Sequence, residues 1–405
     1  MQKRIMLLGG NYFQMTATLT AKRLGYYVIS VDYLPENPAH KYADEYCNVS
    51  TIDKEAVLAL AREKKIDGIV SYASDVSAPT AAYVAEQMGL PTNPYESVMI
   101  LTHKDLFRKF MRENGFLMPR GESFTDREKA REFFRTLPRP VMVKPIDSSG
   151  SKGVVKVFRD EEFDSAWEEA LSYSIEKHVI VEECIQKKGY QIDGDGFVVD
   201  GTIRFFGVMD QHNDLSCAPH TPIGLSSPSI QPDEIRQEAR RQIQRIFDLL
   251  HIRMGAFNFE YIVNEKGQVY ILEIGPRNGG NLIPDTLKIA CGEDLAEYTL
   301  KIALGEDCSG LSDAPSKVCA SSYILHSVCD GAYDHLEISE KLPGKIERQA
   351  VLVKEGEQVK RFRNAGMGIG AMILTFPDVE TMCSTIDHMN DFIQVKVKER
   401  EGQDA

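Results

Sequence analysis

The chain has 405 residues, 43% hydrophobic and 26% charged, with a formal net charge of −13. That balance describes an ordinary globular protein and argues against a generic binder of nucleic acid or anionic membrane, both of which call for surplus Lys and Arg. The length exceeds one core and predicts roughly two to four domains. No run approaches the roughly eighteen apolar residues of a spanning helix, and no signal-peptide pattern follows the first residues, so neither membrane insertion nor export is expected. Eight cysteines, at 47, 184, 217, 291, 308, 319, 329 and 383, form neither a Cys-x-x-Cys pair nor a zinc spacing. Reduced, structural thiols and a cytoplasmic location are the expectation.

Strand and helix signals alternate at the start. Arg4–Leu8 is an apolar run ending in Gly9-Gly10, and residues 16–24 carry a helical pattern closed by Gly25. Tyr27–Val31 is a second run ending in Asp32, Lys54–Lys64 has helical periodicity, and Gly68–Ser71 precedes a helix over Ala78–Met88. Such alternation predicts a doubly wound parallel sheet. A helix over Lys104–Glu113 follows, then a strand at 141–144, a Ser/Gly loop, a strand at 153–158, a helix at 161–173 and a strand at Val179–Glu183. Further strands are expected around 192–209. Residues 216–232, rich in Ser and Pro, read as a long ordered loop of the kind that often serves function. Residues 235–250 form an amphipathic helix. A hairpin spans 256–274, helical material runs to about 304, and a smaller strand-rich unit with a charged tail closes the chain.

The hairpin is the sharpest chemical signal. If Val263 pairs with Gln268 across the turn Asn264-Glu265-Lys266-Gly267, then Asn258 lies opposite Glu273 and Glu260 opposite Ile271. Glu260 and Glu273 then share a face as diagonal neighbours, roughly 7–8 Å apart at the backbone. Two carboxylates aimed at one point repel unless a cation lies between them, and such oxygen ligands suit Mg2+ bound with nucleotide phosphates. A solvated strand face carrying two acids is the plainer alternative. Glu273 runs on into Ile274-Gly275-Pro276-Arg277-Asn278-Gly279-Gly280. An Arg beside a metal site can hold a phosphoryl or carboxylate oxygen in bidentate fashion.

The loop Asp147-Ser148-Ser149-Gly150-Ser151-Lys152-Gly153 lets backbone N–H groups approach a phosphate, although it lacks the G-x-x-x-x-G-K-[ST] pattern and a strand follows it. Lys144 ends an apolar strand just before Pro145, where it can project into a cleft. The strand ending Glu182-Glu183-Cys184-Ile185 can present backbone groups and a carboxylate to an adenine edge. Gly9-Gly10 is not a dinucleotide fingerprint, so a nicotinamide dehydrogenase is disfavoured. His220, in the Ser/Pro-rich loop with His212 nearby, is a candidate substrate contact, with a solvent-exposed histidine as the plainer alternative.

The order of these pieces (Lys104, Lys144-Pro145, the Ser/Gly loop, Glu182-Glu183, Glu260, then Glu273 with Arg277) resembles the ATP-grasp superfamily over about residues 100–310. Residues 5–10, 22–32, Pro35 and 39–45 are similar to the start of carboxyaminoimidazole ribonucleotide synthetases, and the substrate loop and trailing unit look more like L-amino acid ligases. The resemblance implies an α/β fold with an α+β grasp: a Rossmann-like domain at 1–103, grasp subdomains at 104–185 and 186–310, and a strand-rich unit at 311–405. It implies ATP held by Lys104, Lys144 and the loop Ser148, Ser149, Gly150, Ser151, Lys152 and Gly153, with Glu182, Glu183, Cys184, Ile185 and Leu272 around adenine. Glu260, Glu273 and Asn278 would hold one or two Mg2+ (or Mn2+), and Arg277, with Lys144 and Asn278, would serve catalysis. Many relatives carry Asn two residues past the second metal Glu, where this chain has Gly275, with Asn278 as the nearby substitute. An acid for the ribose is often found where this chain has Lys187-Lys188-Gly189, leaving Asp193 or Asp195 as candidates. The implied activity is activation of a small carboxylate as an acyl-phosphate and its ligation to an amine, in a family whose members are often homodimers. A bicarbonate-activating synthetase and a non-catalytic nucleotide-binding protein are the alternatives.

Overall fold

The computed structural model describes residues 2–398, so the last part of the charged tail lies outside the described residues. β1 (Arg4–Leu8), α1 (Met15–Arg23), β2 (Tyr27–Val31), β3 (Glu45–Cys47), α2 (Lys54–Lys64), β4 (Gly68–Ser71) and α3 (Ala78–Met88) build a parallel sheet of order β3-β2-β1-β4. Its strands are apolar on both faces because both are covered. Met6, Leu8, Ile29 and Ile69 pack on Val57, Leu58 and Val84 of α2 and α3.

α4 (Tyr95–Thr102) and α5 (Lys104–Glu113) lead into an antiparallel sheet of order β5-β8-β6-β7. It comprises β5 (Gly121–Phe124), α6 (Arg127–Arg135), β6 (Val141–Pro145), β7 (Val155–Val157), α7 (Phe163–Tyr173) and β8 (Val179–Glu183). Phe134, Phe163 and Trp167 bury its inner face.

The largest sheet is antiparallel, of order β13-β12-β9-β10-β11-β14-β18-β16. It begins with β9 (Gln191–Val199), β10 (Thr202–Asn213), β11 (Pro222–Ser227), α8 (Asp233–Leu250), β12 (Gly255–Val263) and β13 (Val269–Gly275). After α9 (Ile283–Cys291) and α10 (Leu295–Ala303) come β14 (Cys319–Leu325), β15 (Gly331–Ile338), β16 (Lys345–Val351), β17 (Gln358–Val359), β18 (Gly370–Phe376), α11 (Val379–Asp387) and β19 (Ile393–Lys398). β17, β15 and β19 form a small separate sheet, while β14, β18 and β16 continue the large one. α10 lies against the first sheet, where Leu300 and Ala296 meet Ile5, Leu7 and Val70.

Two expectations need correcting. Residues 216–232 are not all loop: β11 lies inside them, paired with β10 and β14. The hairpin register also differs from the alternation expected. Val263 pairs with Val269, because Asn264 and Gln268 close the turn, and an irregularity between Glu260 and Tyr261 leaves Leu272 as an extra residue on β13. Glu260 therefore lies directly opposite Glu273, and Asn258 opposite Gly275. A one-residue bulge reverses which side chains face a given partner.

Candidate active site

β9 carries an alternation that sorts its side chains by face. Gly194 and Gly196 lie under the rings of Phe259 and Phe257; a Cβ on Gly196 would stand 2.1 Å from the Phe257 ring, and one on Gly194 2.1 Å from the Gly207 carbonyl. Asp193 and Asp195 point to the opposite face, where Asp193 is paired with Glu260 and Asp195 with Asn258. With Glu273 across from Glu260, three acids from three adjacent strands converge.

Their partners are few. Gln191 Nε2 donates to Glu260 Oε2 at 2.9 Å, and Asn258 Nδ2 donates to Asp193 Oδ1 at 2.7 Å and Asp195 Oδ1 at 3.2 Å. Gly279 N donates to both oxygens of Asp195 at 2.8 and 2.9 Å. Burial pushes the Glu260 carboxyl up to about 8, reinforced by the charges of Asp193 and Glu273. Burial likewise lifts Asp193 to about 6 and Asp195 to about 7, against the hydrogen bonds that favour their ionised forms. Mutually repelling, half-satisfied carboxylates of this kind fit a hard divalent cation, which takes oxygen ligands and relieves the repulsion.

Cations border the acids. Lys104 starts α5 and places Nζ 3.3 Å from Glu273 Oε1 and 2.9 Å from the Ser148 carbonyl. Lys144 Nζ lies 2.6 Å from Glu182 Oε1. Glu182 also accepts from Arg108 Nε at 2.9 Å, while Arg108 Nη1 reaches the carbonyl of the extra residue Leu272 at 2.9 Å. Burial alone would raise Glu182, but Arg108 and then Lys144 outweigh it and hold the carboxyl at about 2. Arg108 stands one helical turn after Lys104, an i,i+4 spacing that is legible in the sequence itself.

The Ser/Gly loop bends through left-handed backbone at Gly150, Ser151 and Gly153. Its tip touches two other segments: Ser151 Oγ donates to the His220 carbonyl at 3.2 Å and Ala365 N to the Gly150 carbonyl at 3.1 Å. Glu183 turns the other way and accepts from Arg120 N at 3.1 Å, and Cys184 and Ile185 follow it, half-buried. Asn278 is fully buried, with its amide oxygen taken by Thr299 Oγ1 at 2.8 Å. Arg277 meets Asp75, in the turn after β4, through Nε to Oδ1 at 2.7 Å and Nη2 to Oδ2. Nothing local marks Asp75, which lies 202 residues from its partner.

Among the described residues no helix is long and apolar enough to cross a membrane. The profile of the ATP-grasp domain family matches residues 137–285. The formate-dependent phosphoribosylglycinamide formyltransferase of Synechococcus sp. (strain WH7803) is 31% identical over 286 residues, which cover 68% of this chain and 70% of that protein. The C-terminal section of the carbamoyl phosphate synthase large chain of Aquifex aeolicus is 26% identical over 328 residues, 73% of this chain; the chain spans 59% of that relative's length. The crystal structure of L-amino acid ligase from Bacillus licheniformis superposes with a TM-score of 0.81 over 98% of this chain and 99% of that one, at 18% identity, a likeness of fold. By the matched domain and by identity sustained over two thirds of both chains, this protein belongs to the ATP-grasp family.

Proposed function

We propose that the protein is an ATP- and Mg2+-dependent ligase that activates a small carboxylate as an acyl-phosphate and joins it to an amine. The observation that carries this reading is the convergence of Glu260, Glu273 and Asp193 beside Lys104 and Lys144. Mg2+, when bound by these acids, supplies charge neutralisation at the β- and γ-phosphates. Lys104 and Lys144 face the phosphates, and the loop from Ser148 to Gly153 covers them through its backbone N–H groups and Lys152. The half-buried segment at Cys184 and Ile185, with Leu272, takes the adenine. The substrate carboxylate attacks the γ-phosphorus in line and ADP departs, Arg277 stabilises the charge on the phosphoryl oxygens, and the amine then attacks the acyl carbon, expelling phosphate and losing a proton. Contacts of the Ser/Gly loop with His220 and Ala365 support a closed cover that excludes water from the acyl-phosphate.

A cytoplasmic enzyme working on small molecules fits the eight free cysteines, and a homodimer is the proposed assembly. The test is ADP release with pooled carboxylates, bicarbonate included, and pooled amines. Release that requires a carboxylate and an amine together supports the reading. Release driven by bicarbonate alone, or undiminished turnover in Glu273→Ala, refutes it.

A further inference from the structure

A guanidinium offers five N–H groups in a rigid planar fork. In Arg277, Nε and one N–H of Nη2 go to Asp75, and Nη1 donates to the Asn278 carbonyl at 3.1 Å. One N–H remains on each terminal nitrogen, enough to chelate a single oxyanion. The pair is buried, each side chain being 11% exposed, so the charge of Arg277 is balanced by Asp75 without water between them.

Several features exist to make this contact. Gly275 leaves room for it: a Cβ there would lie 2.5 Å from Asp75 Oδ1 and 3.0 Å from Arg277 Cζ. The absence of a side chain at the position where many relatives carry Asn thus has a local cause, since Asp75 fills that space from another part of the chain. The Asp75 turn is itself fixed, with Ala73 in the left-handed region at φ 52°, Ser71 Oγ donating to the Ser74 carbonyl at 2.7 Å, and Ala78 N to the Asp75 carbonyl at 3.1 Å. The other anions acting on Arg277 are Asp195 and Glu273. Without Asp75 the guanidinium would be drawn toward the carboxylate cluster and its free edge would be lost.

We propose that Asp75 is a positioning residue for phosphoryl transfer, holding Arg277 side-on so that the two remaining terminal N–H groups face the oxyanion of the group in flight. The proposal rests on the reading of Arg277 given above. Ala73, Ser74 and Val76 flank Asp75 and line a cavity of about 430 Å3 whose opposite wall carries Ser148, Ser149 and Lys152. The turn that aims the arginine thus forms part of the wall of that cavity.

The test compares retention of MgADP with and without aluminium fluoride, which stands in for the planar phosphoryl group, in wild type, Asp75→Asn and Arg277→Ala. Wild type is expected to hold MgADP far more tightly with fluoride present. Asp75→Asn should bind MgADP alone as wild type does yet lose about tenfold to a hundredfold of the fluoride-dependent tightening, the scale on which a misplaced catalytic group acts. Full tightening in Asp75→Asn, alongside its loss in Arg277→Ala, overturns the proposal and leaves the ligase reading standing. Equal weakening of both complexes in Asp75→Asn marks a structural tether and also overturns it. Full tightening in Arg277→Ala, or no MgADP binding by wild type, overturns the proposal together with the reading beneath it. Should Asp75→Asn fail to fold, Gly275→Ala displaces the same pair while leaving both side chains in place, and the same outcomes apply.

Discussion

Replacing Glu182 by Gln tests the network that holds Lys144 toward the phosphates. Glu182 is 2% exposed and faces Arg108, 3% exposed, at 2.9 Å, with Lys144 at 2.6 Å. Its carboxyl is held at about 2 against an ordinary 4.5. At about 1.4 kcal/mol per tenfold change, that difference corresponds to about 3 kcal/mol in favour of the ionised folded form. Removing one partner of a buried pair costs a similar ~3–5 kcal/mol, because the opposite charge stays desolvated. A depressed folded value places this stabilisation above 4.5, and it drains away as the pH falls from 4.5 toward 2. Trp167 is the only tryptophan and lies in the core of the same sheet, so its fluorescence during urea unfolding reports on this region. Glu182→Gln is expected to lose about 3 kcal/mol at neutral pH, and the loss should shrink in acid. The triple change Arg108→Met, Lys144→Met and Glu182→Leu should cost less than the sum of the three single changes, since it leaves no charge of the network stranded. A loss under about 0.5 kcal/mol at neutral pH, the size of an ordinary surface substitution, refutes the reasoning. So does a loss that stays constant into acid.

Three further outcomes are expected. Since Glu260, Asp195 and Asp193 are raised to about 8, 7 and 6, the metal-free fold binds more protons than the unfolded chain, so its stability should fall as the pH rises through this window. Mn2+ should reverse that trend while releasing protons, measurable by calorimetry in buffers of different ionisation heat. Gly194→Ala drives a Cβ to 2.1 Å from the Gly207 carbonyl and should destabilise by about 1–3 kcal/mol in urea titration, weakening Mn2+ binding as the strands part. Gly150 sits at φ 68°, and a methyl added there would stand 3.0 Å from Ala365 Cβ, so Gly150→Ala should loosen the loop's closed form. Limited proteolysis with MgADP present should then cut between 147 and 153 faster than in wild type.

The sequence and the structure agree where side-chain periodicity carries the information. Helices such as Lys54–Lys64 and Lys104–Glu113 have the bounds that their apolar spacing predicts. β11 escaped because only Ile223 and Leu225 mark it as apolar: Ser226 and Ser227 are nearly inaccessible too, yet each hydroxyl finds a partner in His212 Nε2 or Ser316 Oγ at 2.8 Å. Two apolar residues among Pro, Gly and Ser are too few for hydropathy to separate a strand from a loop. The facing of Glu260 and Glu273 depended on one unpaired residue, Leu272, and alternation on either side of a bulge looks the same with or without it. Asp193 was visible only as a candidate for the ribose, because its approach to Glu260 depends on the order of strands. Asp75 joins Arg277 through tertiary structure alone.

The run of β14, β18 and β16 onto β11 bears on how this protein can be dissected. Residues 224–227 of β11 pair with 320–323 of β14, so a fragment ending near residue 310 would expose the open hydrogen-bonding edge of a five-stranded sheet. Bare edges of that kind recruit strands from other chains. The C-terminal strands thus guard against aggregation, and a shortened protein would be expected to associate through β11 before its chemistry could be assayed.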